Sequence, residues 1–205
     1  MNIIDISQKY SSNMVKYPSI SPLEHEYVRH YEKGNGMCLS QVKMQMHLGT
    51  HIDAPFHYCE QGKKISELDL QIFYGDCQVI EINENAIGKN ELMNKAIQSQ
   101  RVLFKTKNSR FMDNNEFVEE YVYIEKSGAE YLLQQGVKLV GTDYFSVDPY
   151  KDINKAAHKI LLGAGAILLE GINLSPVNEG KYLISCFPLN MEGSEGAPCR
   201  AVIIK

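Results

Sequence analysis

The sequence predicts one α/β domain in which a mixed sheet follows an antiparallel N-terminal hairpin. Three observations point there. The chain has 205 residues, 44% hydrophobic and 22% charged, the balance of a globular protein whose residues 1–205 share one core. From Cys77 onward, short β-rich runs alternate with helical patterns of about ten residues. Before Thr50, two strand-like runs flank the turn cluster Glu32-Lys-Gly-Asn-Gly36.

In chain order, Glu24 to Tyr31 and Met37 to His47 are the hairpin strands. In the second, Leu39, Val42, Met44 and Met46 alternate imperfectly with polar residues, and the strand ends on His47 and a Gly-Thr turn. Asp53-Ala-Pro55-Phe-His57 cannot be regular helix, because Pro55 biases Ala54 toward extended geometry. The sequence there reads as an irregular loop leaving a strand, a common place for chemistry. Cys77 to Ile82 is a strand, Lys89 to Gln98 a helix, and Arg101 to Lys105 a strand. Ser127 to Gln135 is a helix closed by Gly136, with strand Val137 to Val140 after it. Asp152 to Leu162 is a helix ending at Gly163, followed by strand Ala166 to Leu169. Gly163-Ala-Gly165 lacks the rest of a dinucleotide fingerprint and is a helix-to-strand turn. Tyr182 to Cys186 and Arg200 to Ile204 are further strands.

Composition removes several classes of function. The formal charge is -4 and the Lys and Arg residues form no block, so neither nucleic acid nor an anionic membrane surface is an expected partner. The longest apolar run, Ile160 to Leu169, contains two glycines and reads as buried core. No signal peptide is expected at the N-terminus. The cysteines, Cys38, Cys59, Cys77, Cys186 and Cys199, are odd in number and widely spaced. That argues against a disulfide framework and a Cys-ligated zinc site, and the expected compartment is the cytoplasm. Cys59 lies near His57, as a nucleophile would, but a metal site explains the histidines better.

Chemistry concentrates in one short segment. His47, His51 and His57 fall within eleven residues, with Asp53 between them. Imidazole nitrogens and a carboxylate oxygen gathered so closely suit zinc or another divalent transition metal. Without a cation such a cluster is expensive to bury. Two uses of a metal compete. His51, Asp53 and His158 make a 2-His-1-carboxylate set that suits Fe(II) and oxygen chemistry, but it leaves His47 and His57 idle. A hydrolytic site with a metal-activated water uses every member and keeps one His for proton transfer. A non-catalytic protein that holds a metal and a ligand is the rival class.

The segment from His47 to His57 reads H-x-G-T-H-x-D-x-P-x-H and resembles the signature of the cyclase family, which includes bacterial kynurenine formamidases and isatin hydrolases. The resemblance continues in Asp5-Ile-Ser7, Tyr17-Pro18, Gly141-Thr-Asp-Tyr-Phe-Ser146-Val-Asp148, His158, Leu-Leu-Glu170-Gly-Ile-Asn173, Pro188-Leu and Gly196-Ala-Pro198-Cys-Arg200-Ala. It implies a single-domain layered β/β/α fold and a hydrolase acting on an amide-type C–N bond, a formamide or lactam. Carried over by position, it implies that His47, His51 and Asp53 hold one metal. Asp53 and Glu170 would bridge to a second, also bound by His158, with His57 as general acid/base. One or two ions per chain follow, zinc first and manganese as the alternative. Relatives of this kind assemble as homodimers or homotetramers and act on small molecules.

Taken alone, His158 is a helix residue, whereas Glu170 ends a buried strand and needs a partner, for which a metal is the natural choice. Asp143 and Asp148 suit either ligand orientation or capping. Formamidase members carry a Trp beside the early proline to stack on the aryl ring; Tyr17 stands there, as the expected substrate-binding residue. Met14, Phe56 and Tyr58 suit either an apolar pocket or the core, and His25 and His30 read as surface residues.

Overall fold

The structure is a computed structural model and describes residues 2–112, 114 and 116–205. Its strands and helices run β1 (Ile3–Asp5), β2 (Glu24–Arg29), β3 (Leu39–Lys43), β4 (His51–Asp53), β5 (Tyr74–Glu81), β6 (Ala86–Ile87), α1 (Lys89–Met93), β7 (Arg101–Lys105), β8 (Tyr123–Ile124), α2 (Lys126–Gln134), β9 (Leu139–Thr142), α3 (Ala156–Gly163), β10 (Ile167–Glu170), β11 (Gly180–Ser185), β12 (Gly196–Pro198) and β13 (Val202–Ile204). Among the described residues, nine strands form one sheet in the order β1-β13-β11-β5-β7-β9-β10-β4-β12, while β2 pairs with β3 and β6 with β8.

The central strands β5, β7, β9 and β10 are parallel, and the outer ones are antiparallel. Parallel strands are covered on both faces, which is why Val102-Leu103-Phe104 and Leu168-Leu169 are unbroken apolar runs. On one face, Val102, Phe104, Val140 and Leu168 pack against Leu92 of α1, Leu132 of α2 and Leu161 of α3. On the other, Leu103, Leu139 and Leu169 pack against Ile52, Ile184, Ala197 and Ile203 of the same sheet. Chain connectivity forces this doubling. β12 holds the ninth place and β13 the second, yet only Cys199, Arg200 and Ala201 join them. In a flat sheet those places lie about 34 Å apart, whereas the joining residues reach about 15 Å at most. The sheet therefore curls until its two ends approach, as the 2.8 Å bond from the Asn173 N–H, just past β10, to the Ile6 carbonyl, just past β1, records. A curled sheet with helices on one face is the layered β/β/α arrangement.

Several boundaries differ from the sequence expectation. The helix expected over Lys89 to Gln98 stops at Met93. The Gln78 side chain donates to the Ala96 carbonyl and accepts the Gln98 N–H, which ties that stretch to β5. The helix expected from Asp152 starts at Ala156, because Lys155 takes a left-handed backbone and Asp148 accepts the Ala157 N–H. The second hairpin strand ends at Lys43 rather than delivering His47, and every residue of β2 and β3 is exposed. Alternation in β3 therefore does not mark a buried face. The sequence reading has no strand at His51–Asp53, which is a fully buried strand between β10 and β12; the irregular segment expected from Asp53 begins after it, at Ala54. Gly136 follows α2, and Gly163-Ala-Gly165 forms the turn from α3 to β10, as the sequence predicts. No helix among the described residues is long and apolar enough to cross a membrane.

Candidate active site

Antiparallel pairing sets Glu170 of β10 opposite His51 of β4. The two-residue strand period puts Asp53 on the same face as His51. That face is the one α3 covers, and α3 carries His158. His47 lies in the turn before β4. Pro55 opens a tight 3-10 turn, Pro55–His57, after an extended Ala54, and the turn brings the His57 ring onto the His47 ring with centroids 4.1 Å apart. All six residues expected at the site thus meet in one place, although they come from five separate pieces of chain.

The Gly-Thr turn of the motif has a mechanical basis. The Thr50 hydroxyl donates to the Gly171 carbonyl at 2.6 Å and accepts the Gln8 N–H at 2.7 Å, so it ties the turn to the end of β10. Gly171 has φ +70°, and a Cβ there would lie 2.2 Å from the Gly49 carbonyl oxygen. Both the backbone angle and the space exclude a side chain. Gly171→Ala is expected to destabilise the fold by about 3 kcal/mol and lower Tm by roughly 6 to 12 °C, read by thermal unfolding. At the next strand, a Cβ on Gly196 would sit 2.8 Å from His47 Cε1, so its glycine makes room for that ring.

The donor atoms converge on Asp53, which is fully buried. Its Oδ1 is 2.7 Å from His47 Nδ1 and 3.2 Å from His51 Nε2, and its Oδ2 is 3.5 Å from His158 Nε2. Glu170 Oε2 is 3.6 Å from His51 Nε2, and its Oε1 is 3.4 Å from His158 Nε2. Partners on the far side of the rings fix their orientation. His51 Nδ1 donates to the Gly49 carbonyl at 2.9 Å, which leaves the Nε2 lone pair facing two carboxylates. That Nε2 and Asp53 Oδ2 are buried without a hydrogen-bond partner. An imidazole lone pair aimed at carboxylate oxygens is repulsive unless positive charge lies between them. Three imidazoles and two carboxylates therefore fit a divalent cation.

His158 Nδ1 is hydrogen-bonded to Asp148, whose carboxylate also accepts the Ala157 N–H at 2.8 Å. One side chain both starts α3 and aims His158, which joins the two roles the sequence left open. Asp143 takes only the capping role: its carboxylate accepts the N–H groups of Thr106 and Ser109 at the start of the 3-10 turn Lys107–Phe111, together with their hydroxyls, and touches none of the cluster.

The electrostatics follow from this crowding. Burial works against a charged His47, but the nearby carboxylates of Asp53, Glu170 and Glu195 outweigh it and raise its pKa to about 9. His158 is likewise held well above the usual imidazole value, because Asp148, Asp53 and Glu170 outweigh its burial. Burial is the main cause that pulls His57 down to about 4, and the charges of His47 and His158 add to it. His57 is therefore neutral at pH 7 and able to accept a proton. The carboxyl of Asp53 is held well below its ordinary range, since the surrounding imidazoles overcome its burial. The buried carboxylates need positive charge, supplied either by protons on His47 and His158 or by a cation that competes with those protons.

The cluster opens into a cavity of about 230 Å³ lined by His57, Tyr17, Tyr58, Phe145, Ser146 and Lys155, among others. Tyr17 reaches the site as expected, edge-on to Phe117 and Tyr150 at 5.3 and 5.7 Å. Tyr58 lines the cavity, Met14 packs beneath Gly49, and Phe56 lies under the Lys64 ammonium. Cys59 is half-buried and lines no part of the cavity, and all five cysteines are free. His25 and His30 stay on the hairpin. Two residues escaped the sequence reading. Glu195 places Oε1 3.3 Å from His47 Nε2, and its only signal is an acidic residue before Gly196-Ala-Pro198. Lys155 had none.

Comparison with known proteins agrees with this geometry. Residues 4–149 match the family model described as a putative cyclase, a stretch that holds His47, His51, Asp53 and His57. The chain is 36% identical over 202 residues to a kynurenine formamidase of Bacillus cereus, covering 98% of this chain and 96% of the relative. It is 35% identical over the same length to a kynurenine formamidase of Bacillus anthracis, with the same coverage of both chains. Among solved structures, a predicted metal-dependent hydrolase from Bacillus stearothermophilus aligns with TM-score 0.85 and 28% identity over 98% of this chain and 97% of that one. Isatin hydrolase A from Labrenzia aggregata shares the fold, with TM-score 0.86 at 18% identity over 98% of this chain and 93% of that one. With a family model across more than half its length and full-length relatives above 30% identity, the chain belongs to the cyclase family.

Proposed function

We propose that this metal-dependent hydrolase cleaves aryl formamides, with N-formylkynurenine as the substrate and kynurenine and formate as products. The observation that carries the proposal is a buried cluster of His51, Asp53, His158 and Glu170 that opens directly onto His57 and an aromatic-walled cavity. Full-length relatives that are kynurenine formamidases support the choice of bond.

His47, His51, Asp53, His158 and Glu170 are the residues that would hold the ion, zinc or manganese. A bound divalent cation supplies Lewis acidity, which polarises a carbonyl and lowers the pKa of water. The chain does the rest. Gly49 and Asp148 lock the His51 and His158 rings so that each presents Nε2 to the cluster. Neutral His57, stacked on His47, accepts a proton as water adds to the formyl carbon and returns it to the departing aryl nitrogen. The C–N bond breaks, the amine leaves neutral, and the formic acid left behind gives up its proton to solvent as formate. Tyr17, Tyr58 and Phe145 shield the ring end of the cavity from water.

A substrate panel tests the proposal. Metal-loaded protein is expected to release formate from N-formylkynurenine faster than from aliphatic formamides. Turnover of lactams alone would move the assignment to ring opening. Metal binding without turnover of any amide would make the protein a non-catalytic binder.

A further inference from the structure

We infer that Lys155 makes the pocket selective for aryl substrates that carry a carboxylate: its ammonium pairs with that anion at the mouth while Tyr17 covers the ring. The inference rests on the hydrolase assignment above and names the substrate class that the site admits.

Four observations carry it. Lys155 lines the same cavity as His57, His158 and Glu170, and it is the cation there other than the imidazoles. Its Nζ lies 5.8 Å from the Tyr17 ring centroid, so a single-ring ligand against Tyr17 meets the ammonium. Charge accounting leaves it available. Asp53, Asp148 and Glu170 are each committed to a histidine, and Lys151, four residues earlier, is paired with Glu119 at 2.9 Å. Lys155 has no ion-pair partner among the described residues, and the neighbouring Tyr17, Ser19, Tyr58 and Ser146 are uncharged. A half-buried, unpartnered ammonium in a cleft attracts an anion more strongly than one in open water.

The backbone supplies the fourth observation. Lys155 sits at φ 48° and ψ 52°, the left-handed region that few residues other than glycine adopt. Such a conformation persists where its surroundings over-determine it. Here Asp148 accepts the N–H groups of Ala157 and His158 at 2.8 and 3.3 Å, so the carboxylate that aims His158 also fixes the turn at Lys155. The ammonium stem is thereby held in register with the reacting end of the pocket, as a specificity contact requires.

The test compares two formamides that differ by one anion, 2-formamidobenzoate and formanilide, on metal-loaded parent and Lys155→Met protein. The ratio of kcat/KM for the acid over the neutral amide is expected to fall by roughly 10- to 100-fold in the variant, mainly through KM. Lys155→Arg is expected to keep most of the preference. Lys155→Gly relaxes the left-handed turn, so it folds at least as well and separates lost selection from lost structure. An unchanged ratio in Lys155→Met and Lys155→Gly would overturn the inference. If neither amide is hydrolysed, the activity assignment fails, yet the inference is still decided by calorimetry with 2-aminobenzoate and aniline. A preference for the acid that disappears in Lys155→Met supports it; a preference equal in parent and variant sinks it.

Discussion

His57→Ala is expected to lower kcat/KM for an aryl formamide by roughly 10²- to 10⁴-fold, the usual worth of a positioned acid/base, while metal per chain stays the same. His57 stacks on His47 and faces His158 with ring centroids 5.9 Å apart, and burial keeps it neutral at pH 7. It lines the cavity together with His47, His158 and Glu170. The same crowding offers an alternative, because His47, Asp53 and His57 can present three ligand atoms within 4.8 Å of one another. Elemental analysis of the variant separates the two roles. Retained metal with lost turnover identifies a proton carrier, whereas loss of one equivalent identifies a ligand. Untouched metal content and untouched turnover together would remove His57 from the mechanism.

Asp53→Asn is expected to abolish tight metal binding and, with it, the several kcal/mol of transition-state stabilisation that a metal supplies, a loss of about 10³-fold or more in rate. No other residue is so central, since three imidazoles point at its two oxygens from within 3.5 Å. The amide keeps the volume and removes the charge. The measurement is metal per chain in parent and variant, purified without chelator or affinity nickel. Near two equivalents of zinc or manganese in the parent, lost in the variant, supports the bridged site. One equivalent leaves His158 to another task. Iron alone would revive the His51, Asp53 and His158 set for oxygen chemistry. Full metal content in Asp53→Asn would sink the assignment of Asp53 as a ligand.

The motif from His47 to His57 was legible in the sequence because its geometry is local. A Gly-Thr turn and a proline that holds Ala54 extended are fixed by near neighbours, so spacing alone identified a metal-binding segment. The strand and helix pattern from β5 onward was legible for a similar reason, since parallel strands buried on both faces must be continuous apolar runs. His158 and Glu170 carried weaker signals of their own and were placed at the site only by likeness to a family.

Tertiary structure decided the remainder. That His51–Asp53 is a strand follows from its pairing with Leu168 to Glu170 and with Gly196 to Pro198, more than a hundred residues away. The curl of the sheet follows from a three-residue link between its second and ninth places. The end of α1 depends on the Gln78 side chain, and the start of α3 on Asp148. Glu195 and Lys155 reach the site only through these long-range arrangements. Local backbone preferences extend a few residues along the chain, whereas which distant carboxylate or ammonium faces an imidazole is set by how the sheet closes and where a helix begins.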